Sequence, residues 1–186
     1  MAQDVHIPAP SIKNATLRLQ GVSPLICHAW SAKARQAILD KHMKKATPAK
    51  EAKDPEQNFR DSLYPLPDGS GYGFPAIAFK AAMVRAGTYL DLKMTFLRGT
   101  FHIPVDLVPI NGTPTMREDM VRVGMTTDIR HRGEFLEWSA DLPIQYLERN
   151  ISLEQIAHLA MTAGFSVGVG EWRPEKDGTF GMWEVI

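Results

Sequence analysis

Trp172, Arg173 and Lys176 lie close together near the C-terminus, in the stretch AGFSVGVGEWRPEKDGTFG (163–181). A cation placed against a phosphate and an indole face offered to a base are the two contacts that single-stranded nucleic-acid binding needs. Five of the nineteen residues here are glycine: Gly164, Gly168, Gly170, Gly178 and Gly181. Glycine suits backbone that takes positive φ or closely approaches another group, so 164–181 is expected to be a shaped glycine-rich loop between a helix and a terminal strand. A structural reading of the same residues stays open, with Trp172 packed on the core and Arg173 paired with Glu171 or Glu175. A second group of cations follows Trp30: Lys33, Arg35, Lys41, Lys44, Lys45, Lys50 and Lys53, with only Asp40 and Glu51 among them. It reads either as an electrostatic footprint for nucleic acid or as a solvated face. A third group is Arg117, Arg122, Arg130 and Arg132 with His131, where Glu118, Asp119 and Asp128 are placed to neutralise three of the four.

Other chemistry has no signature. His6, His28, His42, His102, His131 and His158 fall at no ligand spacing, and the single cysteine, Cys27, excludes an internal disulfide or a cysteine-cluster metal site. Neither a phosphate-binding GxxxxGK[ST] nor a nucleophile-elbow GxSxG occurs. No metal, no cofactor and no enzymatic activity are therefore expected. With 21 basic and 21 acidic residues in 186 the net charge is zero, so any contact with a polyanion must be local. The start, MAQDVHIPAPSIKNA, does not resemble a secretory signal, and no apolar run reaches bilayer length; a cytoplasmic protein without a membrane partner is expected.

The elements that must position these groups can be read in order. One domain is expected over 1–186, opening with an extended N-terminal arm (1–13). ATLRLQGV alternates as a half-buried strand. Residues 32–73 form an insertion: a basic helix from Ala32 to Ala46, capped by Ser31, then a mobile stretch from Thr47 to Tyr64. A small-residue core helix follows from Pro75 to Leu90, and KMTFLRGTFHIPVDLVPI reads as strand. Asn111-Gly112 opens a projecting hairpin (111–127). FLEWSADLPIQY alternates as strand, with Trp138, Ala140, Leu142, Ile144 and Tyr146 on one face. Ser152 and Gln155 form a capping box, and the helix they start is expected to stop at Gly164. Phe180–Ile186 is the last strand.

Without the insertion and the hairpin, the order is β-α-β-β-α-β, the ferredoxin-like (RRM-like) arrangement of the α+β class. With Gly164–Gly170 and Gly178–Gly181 before the last strand, and Pro114–Gly124 as a thumb, the chain resembles the RAMP superfamily, the RNA-binding subunits that form the backbone of CRISPR effector complexes. The stretch 129–180 is also similar to small proteins encoded by bacteriophages and prophages. The resemblance implies a non-enzymatic protein of the bacterial cytoplasm that coats single-stranded RNA or DNA as a homo-oligomer or filament. Trp30 and Trp172 would stack on bases, Gly168 and Gly170 would shape the loop, and Arg117, Arg122, Arg173, Lys176 and the basic helix would follow the backbone. In some such subunits a loop acid cuts the bound RNA; Asp54, Asp61 or Asp68 could sit in an equivalent insertion, but no motif singles one of them out. The other reading is a self-assembling phage structural or counter-defence protein that acts through protein contacts.

Overall fold

The computed structural model describes residues 9–30, 32–45 and 54–186; the side chains of residues 32–34 and 123 also lie outside the described set. The protein is of the α+β class. Strand β1 (Ile12–Gly21) runs antiparallel to β9 (Ser139–Leu147) from Ile12↔Leu147 to Gln20↔Ser139. With the short strands β10 (Trp183–Val185) and β5 (Phe101–His102) they form a four-stranded antiparallel sheet in the order β10-β1-β9-β5.

Alternation along the strands decides which face is covered, because successive side chains point to opposite sides of a sheet. Leu17 and Leu19 of β1 and Ala140, Leu142 and Ile144 of β9 are buried. Arg18 and Asp141, on the opposite face, are exposed and pair across the strands at 3.2 Å. Helices α3 (Ala76–Ala86) and α5 (Leu153–Ser166) supply Phe79, Ala82, Met83, Ile156, Leu159, Ala160 and Ala163 to the same core. Phe79 meets Trp183 of β10 edge-on, with ring centroids 5.7 Å apart. Ser152 and Gln155 make the reciprocal capping box that starts α5.

Two smaller sheets flank this body. Strand β2 (Leu25–Ile26), β8 (Thr126–Phe135) and β7 (Pro114–Val123) pair in the order β2-β8-β7, and β3 (Tyr64–Pro65), β4 (Tyr72–Pro75) and β6 (Leu107–Pro109) in the order β3-β4-β6. The projecting hairpin is therefore β7–β8, longer than the expected 111–127.

Four local expectations are corrected. Met94–Thr100 is helix α4, not strand, because Leu97 and Thr100 can then be buried on one side, with Leu97 against Gly87 of the 3-10 turn that follows α3. Helix α5 does not stop at Gly164. It continues to Ser166 and ends at Gly168, which takes φ +68° and donates its N–H to the Ala163 carbonyl at 2.9 Å. Gly164 is instead a point of close approach, where a Cβ would overlap the Trp183 carbonyl. The stretch expected to be mobile contains helix α2 (Pro55–Ser62), capped by Asp54 and docked on β8, where Ser62 Oγ accepts the Gly133 N–H at 2.7 Å. Residues 47–53 of that stretch, Ser31 and Ala46 of the expected basic helix, and 1–8 of the expected arm lie outside the described residues. The basic helix α1 (Ala32–His42) ends earlier than expected and leaves Ile38 and Leu39 exposed.

Candidate functional site

The glycine-rich loop is fixed by hydrogen bonds between its two legs and to Pro24 and Ile26, before and in β2. Val169 N–H donates to Gly181 O (3.0 Å), Phe180 N–H to Trp172 O (3.0 Å), Gly181 N–H to Pro24 O (2.7 Å) and Glu171 N–H to Ile26 O (3.1 Å). Val167 and Val169 are buried beneath it. Held this way, Trp172 takes φ +57° and leaves 45% of its surface exposed. A left-handed conformation costs a bulky aromatic on the order of 1–2 kcal/mol, which the surrounding bonds must sustain. Trp172 is thus not a core residue, as its structural reading had it.

Between this loop and α3 lies a groove of about 700 Å³. Lys80 and Arg85 of α3, Arg98 of α4 and Arg173 of the loop line it, with Glu171 and Glu175 as the carboxylates and His28 at one end. Arg173 donates to Glu175 (3.0 and 3.2 Å) and, through Nη1, to Gly170 O at 3.1 Å, so the loop reading of Arg173 paired with Glu175 holds. Glu175 also meets Arg85 at 3.3 Å, tying the loop to α3. Lys80 Nζ lies 3.1 Å from Arg98 O and 3.0 Å from His102 Nδ1, and burial lowers its pKa from the ordinary lysine value. His28 Nδ1 lies 3.2 Å from Glu171 Oε1. That hydrogen bond, more than the nearby Arg132 and Arg173, holds the Glu171 carboxyl below its ordinary pKa against the opposing effect of burial.

The groove cations Lys80, Arg85 and Arg98 were not singled out from the sequence. Ile77, Ala81 and Arg85 recur at helical spacing with Lys80 beside them, a separate face from the buried Phe79, Ala82, Met83 and Ala86. That spacing was the available signal; it became meaningful only once the loop was seen to close over it.

The hairpin arginines are committed elsewhere. Arg132 is 5% exposed, with Nη1 3.5 Å from Asp119, and Arg117 binds Asp119 at 2.8 Å and Glu134 at 2.7 Å. Arg117 also stacks 4.9 Å over the Phe180 ring of the glycine-rich loop. Burial disfavours its charge, but hydrogen bonds to Asp119 and Glu134 outweigh this and raise its pKa. Arg117 joins hairpin to loop, Arg132 ties the two hairpin strands together, and both are engaged within the chain. Arg130 lies 4.0 Å from Asp128, and Arg122 donates to the Gly124 carbonyl at 3.2 Å on the exposed hairpin end.

Trp30 is 64% exposed, and Arg35, Lys41, Lys44 and Lys176 are exposed. Lys45 pairs with Asp40 at 3.1 Å; the side chain of Lys33 lies outside the described residues. None of those whose side chains are described lines the groove. Gly168 and Gly170 do, as backbone. A second, smaller cleft of about 270 Å³ separates α2 from β8 and is lined by His28, Asn58, Asp61, Arg130, His131 and Arg132 among others. The acids considered for RNA cleavage have local structural roles: Asp54 caps α2, Asp61 accepts from Gln57 at 2.6 Å, and Asp68 accepts from Ser70 at 2.7 Å. Among the described residues no cluster of three or more His, Cys, Asp or Glu is arranged to hold a metal, and no helix is long and apolar enough to cross a membrane.

No protein-family model matches this chain, and no curated protein matches it.

Proposed function

We propose that this protein binds single-stranded nucleic acid, RNA or DNA, along the groove between α3 and the glycine-rich loop. The observation that carries the reading is the groove itself: four cationic side chains, Lys80, Arg85, Arg98 and Arg173, against two carboxylates, in a chain of zero net charge. Beside it the loop holds a strained, half-exposed Trp172 as a stacking surface. Base stacking on an aromatic is worth about 1–3 kcal/mol per base, and phosphate contacts add a salt-sensitive term. The sheet order β10-β1-β9-β5, with α3 and α5 sharing one core, supports reading the body as ferredoxin-like. The β7–β8 hairpin and the glycine-rich loop support kinship with the RAMP proteins. Under this reading the exposed Trp30, Arg35, Lys41, Lys44 and Lys176 are further contacts outside the groove.

A second reading is favoured by one observation. Arg117, Arg130 and Arg132 of the hairpin, and Arg85 and Arg173 of the groove, have carboxylate partners within the chain, which suits protein contacts better than phosphate contacts. Under that reading the protein is a self-assembling phage structural or counter-defence protein.

Fluorescence anisotropy of labelled single-stranded RNA and DNA oligomers, titrated with protein stripped of nucleic acid, separates the two. Binding through three phosphate contacts would weaken by about 100-fold over a tenfold rise in salt. Lys80→Ala and Trp172→Ala are each expected to weaken it by about tenfold, whereas Lys45→Ala, outside the groove and already paired, leaves it within about twofold. Absence of binding at low salt would leave protein assembly as the function.

A further inference from the structure

Strand β7 is an edge. It pairs with β8 over its whole length from Pro114↔Phe135 to Val123↔Thr126, and among the described residues no strand lies on its other side. Natural proteins blunt such edges with proline and charge; here Pro114 stands at the start of the strand, Arg117 and Asp119 pair on its covered face, and Glu118 and Arg122 are the charges left exposed. The two-residue turn Gly124-Met125 determines which backbone groups the edge offers. Val123 and Thr126, flanking that turn, must form a hydrogen-bonded pair, and such pairs alternate along an antiparallel ladder. The odd-numbered residues of β7 therefore bond to β8, and Met116, Glu118, Met120 and Arg122 direct their N–H and C=O groups outward.

We propose that this edge pairs with the same edge of a second copy of the chain, antiparallel and centred on Met120. Backbone parity requires an even-numbered residue to oppose an even-numbered one, and charge then selects among the symmetric registers. Centring on Arg117, Glu118 or Asp119 sets that residue against its own copy, with like charges opposed. Centring on Val121 opposes Glu118 to Gly124 and Arg122 to Met120, with no charge pair. Centring on Met120 opposes Glu118 to Arg122 of the partner, twice by symmetry, and gives about six backbone hydrogen bonds.

The exposed apolar side chains agree with that register. Met120 is 75% exposed, and Ile129, directly opposite it on β8, is 48% exposed. In the dimer they would align as a row across the joined sheet, Ile129 and Met120 of one copy followed by Met120 and Ile129 of the other. The interface is isologous and closes on itself, so it yields a dimer and not an open fibre. It does not depend on nucleic acid, and it leaves the groove at α3 untouched.

Sedimentation velocity of nucleic-acid-free protein from about 1 to 200 µM tests the proposal. A concentration-dependent dimer is expected for the native chain. Met120→Pro removes an outward N–H and the Met120 side chain but no bond to β8, since the inward bonds come from odd-numbered residues, and should abolish the dimer while circular dichroism stays native. Glu118→Arg opposes Arg122 of the partner with a like charge and should weaken dimerisation at least tenfold, and adding Arg122→Glu should restore it. A native protein that stays monomeric throughout, or variants that dimerise as well as the native chain, would overturn the proposal. Because the readout is mass without nucleic acid, its failure is distinct from failure of groove binding.

Discussion

Cys27 directly follows β2, Glu171 donates its N–H to Ile26 O of that strand, and the two environments lead to opposite chemical behaviour. Cys27 is fully buried, and burial pushes its thiol up to about 12. Its thiolate is negligible at pH 8, so Ellman's reagent should leave the native protein unmodified over hours and react fully once urea unfolds it. Glu171 lies about half-exposed beside His28, with its carboxyl pKa lowered. A carboxyl depressed in the folded state stabilises the fold above its unfolded pKa, about 4.3, and loses that contribution as pH falls through the folded value. Urea midpoints of the native chain should therefore fall more steeply below about pH 5 than those of Glu171→Gln, and the two should converge in acid.

At the scale of elements, the glycine-rich loop depends on where α5 ends. Gly164 is inside the helix, against the Trp183 carbonyl, and Gly168 ends it. Alanine is ordinarily the better helix residue by about 1 kcal/mol, so helix propensity alone favours Gly164→Ala. Contact with the β10 backbone reverses the sign: we expect Gly164→Ala to destabilise by about 1–3 kcal/mol, because a packed core cannot accept the added atom without shifting α5 or β10. A lowered urea midpoint at unchanged m-value checks this. The hairpin and the loop are likewise one unit, since Arg117 reaches Asp119 and Glu134 on the hairpin and Phe180 on the loop.

The whole molecule separates two surfaces. The cationic groove lies between α3 and the loop, while the open edge of β7 lies on the projecting hairpin. Groove contacts to phosphate should vanish with salt, whereas a dimer held mainly by backbone hydrogen bonds and Met120 should persist. Sedimentation at about 0.5 M salt should retain the dimer under conditions in which anisotropy no longer detects bound oligomer. Loss of both together would mean that the Glu118–Arg122 pairs, and not the backbone ladder, hold the dimer.

Local pattern by itself determined β9, where alternation from Ala140 to Ile144 matches the buried face, and the start of α5, where Ser152 and Gln155 complete each other's hydrogen bonds. The capping box joins residues three apart, and the alternation is the two-residue period of any half-buried strand, so both could be read there even though β9 is held by distant β1. Tertiary structure decided α4, because Leu97 becomes buried only through contact with the turn after α3. It also decided the groove: Lys80, Arg85 and Arg98 come from two helices and Arg173 from a loop some ninety residues further on, brought together only when α3 and α5 join one core. The same packing assigned Arg132 to an interior pair with Asp119, since the charge of an arginine is written in the sequence and its burial is not.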